Sequence, residues 1–226
     1  VSIKPLATDN LSTRAYTSIR AALIDGDFAP GERLVIYDIA ERLGTSVTPV
    51  REACLRLVSE QGLEIRSGRF LTVPDLDLGR YLEIRKIRIA LEGLATREGA
   101  INATPQYVER LADCHARFVK ASRAHDNFNS IRLNREFHFG VYQLCNMKML
   151  LGQIENLWVS MGPILKVYYR EHADDHYLGA EEHVNVMAAL ERRDGAAASE
   201  ALVGDIERGG EGILAYLGAR PLAAVS

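Results

Sequence analysis

The strongest constraint on the fold is the succession of short elements in the first seventy-odd residues. In LSTRAYTSIRAALIDGDF, Tyr16, Ile19, Leu23 and Ile24 recur at helical spacing as one apolar stripe, closed by Gly26 and the Pro30–Gly31 pair. A second short helix follows in IYDIAERLG, where Ile36, Ile39, Ala40 and Leu43 share a face and Gly44 ends it. TSVTPVREACLRLVSEQG starts a third. Thr48 is expected to cap it, with Pro49 at the first helical position and Glu52 in the first turn, where an acid suits the helix dipole. Val50, Cys54, Leu57 and Val58 supply its buried stripe and Gly62 stops it. LEIRSGRFLTV reads as two short strands around Ser67–Gly68. Helix, helix, short turn, helix, hairpin is the order of a winged helix-turn-helix, whose third helix offers its leading end to base edges.

The pattern changes near VPDLDL, which predicts a domain boundary: residues 1–75 as a DNA-binding domain and 76–226 as a helical effector-binding and dimerisation domain. Helical periodicity runs over roughly 78–100, 104–124, 128–145, 147–168, 177–194 and 195–218, without strand alternation or internal repeat. The expected class is therefore mainly α: a winged helix-turn-helix followed by an all-α bundle of six or seven helices. Three unpatterned cysteines, Cys54, Cys114 and Cys145, predict reduced buried thiols in a cytoplasmic protein. No apolar run reaches membrane-spanning length, and VSIKPLATDN lacks the apolar core of a signal peptide, so no membrane partner is expected. The net charge of −3 does not advertise nucleic acid, and the first 74 residues balance nine basic against nine acidic residues. A DNA reader with that balance must gather its basic groups on one face.

The stretch PGERLVIYDIAERLGTSVTPVREACLRLVSEQGLEIRSGRFLTV resembles the DNA-binding domain of the GntR superfamily. RIALEGLATREGA, NREFHFGVYQLCNMKML and EEHVNVMAALERRDGAAASEAL are similar to the FCD ligand-binding domain of its FadR-like branch. The resemblance covers nearly the whole chain after residue 28. It implies a homodimer on a two-fold operator, with a bundle of six or seven helices that holds an effector and often a metal ion.

On that resemblance Arg51 matches the arginine of the family's TPVRE motif, where a guanidinium grips guanine or a phosphate; otherwise it is a surface arginine paired with Glu52 or Glu41. Ser46 and Thr48 are expected to reach phosphates, Thr48 doubling as a cap. Gly68, with Ser67 and Arg69, is either a wing tip for the minor groove or a plain turn. Two positions depart from the family: Val47 replaces a usual arginine and Tyr37 stands where a basic residue is common. Losing one such contact costs about 1–3 kcal/mol, unless Val47 instead touches a thymine methyl.

In the second domain, Asn134 and His138 are four apart and share a helix face, while His183 and Asp205 lie on later helices able to point into one cavity. The resemblance implies a metal site at these four positions, typically Asp, His, His and His; here Asn134 replaces the acid and Asp205 the last histidine. Two imidazoles and a carboxylate suit zinc, nickel or manganese, with the Asn oxygen a weak fourth ligand. Alternatively the metal is lost and Asn134, His138 and His183 bond the effector directly. Arg88, in the family's R-x-x-LE element, either faces a carboxylate effector or pairs with Glu92. Asn146 is expected to cap a helix, His172 and His176 to lie in a solvated loop in preference to a second metal site, and Trp158, Tyr168 and Tyr169 to form core or pocket wall.

The expected function is a ligand-responsive transcriptional regulator, a repressor of the operator-bound type, sensing a small carboxylate with no organic cofactor. The competing readings are a metal-sensing repressor and, on the His138, His183, Asp205 cluster, a metal-dependent hydrolase or lyase. Catalysis is not expected, because no nucleophile motif or HExxH element occurs.

Overall fold

The structure is a computed structural model and describes residues 11–171 and 180–219. The N-terminal unit runs α1 (Leu11–Ile24), β1 (Arg33–Leu34), α2 (Ile36–Arg42), α3 (Val47–Ser59), β2 (Glu64–Arg66) and β3 (Phe70–Thr72). Leu23, Val50, Cys54, Leu57 and Leu63 are fully buried between the helices and the sheet. β2 and β3 pair antiparallel, Ile65 opposite Leu71. Ser67 and Gly68 both take positive φ, and Arg69 N–H donates to the Arg66 carbonyl at 3.1 Å. That two-residue turn matches the twist of its flanking strands. β1, which periodicity did not reveal, adds a third strand on β3, with Leu34 opposite Leu71. Two residues are too few to show an alternation.

The start of α3 differs from expectation. Ser46 is the N-cap, so Thr48 lies inside the first turn instead of capping it, and Pro49 takes the third helical position. Proline is tolerated there because first-turn N–H groups have no intrahelical acceptor. Glu52 consequently falls beyond the first turn, which holds no acid.

The second unit comprises α4 (Leu78–Gly99), a single 3-10 turn (Ala100–Asn102), α5 (Pro105–Arg123), α6 (Asn127–Gln143), α7 (Lys148–Glu171), α8 (Ala180–Glu191), α9 (Gly195–Gly209) and α10 (Glu211–Ala219). Side-chain oxygens start four of these helices: Asp77, Thr104, Asp126 and Asp194 each accept from the backbone N–H three residues on. Such caps are worth about 1 kcal/mol each. The span expected as one helix over 195–218 is two, broken at Gly209–Gly210. Paired glycines weaken a helix, and a Cβ on Gly210 would meet the Tyr81 hydroxyl at 2.5 Å. Asn146 does not cap α7; it sits after α6 with φ at 56° and donates to the Leu144 carbonyl. The main core is built from α4 to α9 around Phe118, Phe137, Val141, Ile154 and Leu190.

The units meet along α1 and α7. Val159 of α7 is buried in the N-terminal core. One turn on, a Cβ at Gly162 would run into the carbonyl oxygens of Leu23 and Ile24. Around this contact Arg20 pairs with Glu155 at 2.5 Å and donates to Asn156 at 2.8 Å, and Arg135 of α6 pairs with Asp25 at 2.5 Å.

Candidate nucleic-acid interface and metal centre

The leading end of α3 stands in solvent. Ser46, Thr48 and Arg51 are exposed, and Tyr37 at the start of α2 is 72% exposed. Val47 is half-buried, its apolar side packed on the N-terminal core. Ser67, Gly68 and Arg69 form the exposed tip of the β2–β3 hairpin, and nothing approaches Gly68 within 4 Å. Within this unit Arg56 pairs with Glu60, and Arg66 with Glu64 and Asp75. Among the described residues Arg51 and Arg69 form no ion pair, so neither Glu41 nor Glu52 holds Arg51. With no acid in its first turn, α3 presents uncompensated N–H groups, the local condition that favours a phosphate.

The second cluster is buried among α4, α6, α7, α8 and α9. His138 and Asp205 are each 1% exposed and His183 is fully buried, with ligand atoms all within 4.8 Å of one another. His138 Nε2 lies 3.0 Å from Asp205 Oδ2, and His183 Nε2 lies 3.6 Å from Oδ1. Asn134, one turn before His138, lines a cavity of about 40 Å³ with His138 and Asp205; among the described residues its buried Oδ1 meets no hydrogen-bond donor. His183 stacks on Phe137 with ring centroids 4.0 Å apart. Burial pushes its imidazole down to about 3, against the pull of Asp205, so it is neutral at physiological pH.

Behind the cluster stands a chain of polar groups. The Tyr142 hydroxyl donates to Glu92, and His138 Nδ1 lies 2.8 Å from the same hydroxyl. Glu92 also accepts from Trp158 Nε1 at 2.9 Å and from Arg88 through Nε at 2.7 Å and Nη2 at 3.2 Å. Burial pulls the Arg88 guanidinium down, but Glu92's charge and hydrogen bonds outweigh it and hold the group above its ordinary value. Burial and the Glu92 charge push the Tyr142 phenol well up, so its proton stays. Arg88 thus makes the ion pair with Glu92 while also lining the cavity. On the far side His115 Nδ1 meets His183 Nδ1 at 3.1 Å, and burial lowers the His115 imidazole.

The Tyr142 hydroxyl has one hydrogen and spends it on Glu92, so the His138 Nδ1 beside it must be the donor. Its Nε2 faces Asp205 Oδ2 at 3.0 Å, a buried approach that either a proton on Nε2 or a cation between the two atoms makes attractive. Together with the orphaned Asn134 oxygen, the donor set of two imidazole nitrogens, a carboxylate and an amide oxygen fits a divalent transition metal. Tyr142 is then the partner that orients His138, a role usual behind metal-binding histidines.

The four expected residues of this cluster therefore converge, whereas Glu92, Tyr142 and His115 were not singled out as members. Tyr142 lies four residues after His138 on the same helix face, a spacing that could have exposed it. His115 carried no such signal. Trp158 and Tyr168 line the cavity. His172, His176 and the Tyr169 side chain lie outside the described residues.

Two family models match the chain: "Bacterial regulatory proteins, gntR family" over residues 11–73 and "FCD domain" over residues 83–208. The chain belongs to the GntR family of bacterial regulatory proteins. It is a transcriptional regulator with a DNA-binding helix-turn-helix unit and an FCD domain. The HTH-type transcriptional regulator McbR of Escherichia coli (strain K12) is 35% identical over 193 residues, covering 82% of this chain and 84% of that one. The HTH-type transcriptional repressor RspR of the same organism is 24% identical over 208 residues, covering 91% and 90%. The solved structure of E. coli McbR/YncC superposes with a TM-score of 0.83 at 31% identity, covering 94% of this chain and 98% of that one. A GntR transcriptional regulator from Rhodococcus sp. RHA1 shares the fold, with a TM-score of 0.72 at 22% identity over 93% of this chain and 99% of that one. Among the described residues no helix is long and apolar enough to cross a membrane.

Proposed function

We propose that this regulator is a cytoplasmic homodimeric repressor, divided near residue 75, that reads operator DNA with the leading end of α3 and holds a divalent metal on His138, His183 and Asp205, with Asn134 as a fourth donor. Arg51 would be the principal base or phosphate contact, supported by Ser46, Thr48, Val47 and Tyr37, with Gly68 and Arg69 at the wing. When bound, the metal would supply Lewis-acid coordination to a small carboxylate effector. The residues of the chain do the rest: Tyr142 orients His138, Glu92 orients Tyr142, and Arg88 holds Glu92 in place by a two-point contact. The reading rests on the buried convergence of His138, His183 and Asp205, whose ligand atoms all lie within 4.8 Å of one another.

The cavity of about 40 Å³ favours a second reading in which metal alone is the signal. A space of that size takes an ion or one or two waters, and an organic effector only if the bundle opens. One experiment separates the two. Elemental analysis of the purified protein should find close to one divalent ion per chain, and none in His138→Ala/His183→Ala. Stripping with a chelator should lower Tm by roughly 5–10 °C, the shift expected when a ligand at about a hundred times its Kd is removed. Operator affinity is then measured by anisotropy in stripped protein, with zinc, and with zinc plus acetate or oxalate. A response to zinc alone supports the metal sensor, a response only with carboxylate supports the effector reading, and wild-type protein that takes up no metal refutes both.

A further inference from the structure

The two histidines of the buried cluster are backed differently. His138 meets a fixed partner, because the Tyr142 hydroxyl commits its hydrogen to Glu92. His183, on α8, meets a second imidazole: its Nδ1 lies 3.1 Å from Nδ1 of His115, on α5. We propose that His115 is a positioning residue of this centre, accepting the Nδ1 hydrogen of His183 and so keeping the lone pair of His183 Nε2 directed at a divalent ion. The inference rests on the metal reading above and gives a role to a residue that reading does not use.

A contact between two imidazole nitrogens holds one hydrogen, so two arrangements compete. In one, His115 donates; His183 then carries its hydrogen on Nε2 and cannot ligate through that atom. In the other, His183 donates, its Nε2 lone pair is available, and His115 keeps its own hydrogen on Nε2. The spacing favours the second. His183 Nε2 is 3.6 Å from Asp205 Oδ1, beyond hydrogen-bond reach, so a hydrogen placed there gains little from the carboxylate. Ligand atoms about 2 Å from a tetrahedral ion stand roughly 3.3 Å from one another. The approaches to the two Asp205 oxygens, 3.0 Å from His138 Nε2 and 3.6 Å from His183 Nε2, bracket that value. The rings beside His183 hold its plane without choosing its tautomer: Phe137 stacks on it at 4.0 Å and Phe118 lies at 5.4 Å between centroids. His115 is seated by its own helix, between Leu111 one turn before and Phe118 one turn after, both in the core.

The test uses the full chain, stripped with a chelator and titrated with zinc against a chromophoric competitor. His115→Phe keeps a ring and removes the acceptor. Zinc affinity should fall roughly 10–100-fold, the usual cost of losing the group behind a metal-binding histidine. His115→Asn puts an amide oxygen near the place of Nδ1 and should stay within about threefold of wild type. A side chain that only filled space would give the reverse order, with phenylalanine tolerated and asparagine not. The second readout needs no variant: in nitrogen NMR of the zinc-loaded wild type, His183 Nδ1 should carry its hydrogen and His115 Nδ1 should be bare. A hydrogen on His115 Nδ1, zinc held through His183 Nδ1, or wild-type zinc affinity in His115→Phe overturns the proposal and leaves the metal reading standing. Wild-type protein that takes up no zinc overturns both.

Discussion

Arg51 and Arg88 carry the same guanidinium into opposite surroundings. Arg51 projects from an exposed helix end, and among the described residues no carboxylate holds it. Arg88 is buried, locked in a two-point pair with Glu92 and lying over the Trp158 ring at 4.7 Å. The first arrangement leaves charge available for a partner and contributes little to the fold. The second satisfies every group by committing it internally, so that removing one member exposes the rest to a low-dielectric interior.

That contrast can be broken most sharply at Glu92. Glu92→Ala should cost about 3–5 kcal/mol in urea unfolding, because Arg88 would remain charged and buried without its partner, and Tyr142 and Trp158 would lose their acceptor. A loss near zero would mean that the network is dispensable. Next in size is Gly162→Ala. Alanine normally stabilises a helix over glycine by about 1 kcal/mol. Here its methyl would strike the α1 carbonyls, and a net loss of about 1–3 kcal/mol is expected from overpacking. Arg51→Ala probes the exposed side: operator binding should weaken by about 1–3 kcal/mol, while stability stays within about 0.5 kcal/mol of wild type. The smallest effect concerns pH. Burial pushes the Cys54 thiol up to about 11, and burial with the nearby Glu136 charge does the same for Cys114. Both stay protonated in the folded state at pH 8, so alkylation by iodoacetamide should be slow until denaturant is added. Because the folded values exceed the ordinary thiol value, the fold holds these protons longer than the unfolded chain. Stability from this source is therefore lost as pH rises from about 9 towards 11.

The same contrast governs what could be read beforehand. The exposed end of α3 is local: turn glycines, a proline and an apolar stripe lie in consecutive residues, so helices, hairpin and the placement of Arg51 followed from spacing. The errors there were of one or two residues, at Thr48 and Glu52, where cap geometry decides the boundary. The buried cluster is assembled from residues far apart in the chain. His138, His183, Asp205 and Asn134 were found through resemblance to a family, not through periodicity. The groups that stand against them, Glu92 and His115, belong to other helices, and nothing in linear spacing announces that a carboxylate on α4 will meet a phenol on α6. Strand β1 escaped for a different reason, being defined only by the partner strand beside it.

Trp158 and Val159 are neighbours on α7, yet one reaches the Glu92 carboxylate and the other is buried in the helix-turn-helix core. Consecutive helical residues point about 100° apart, so this helix is a party wall, with the buried histidine cluster on one side and the helix-turn-helix core on the other. A small twist of that wall about its long axis would shift side chains in both at once.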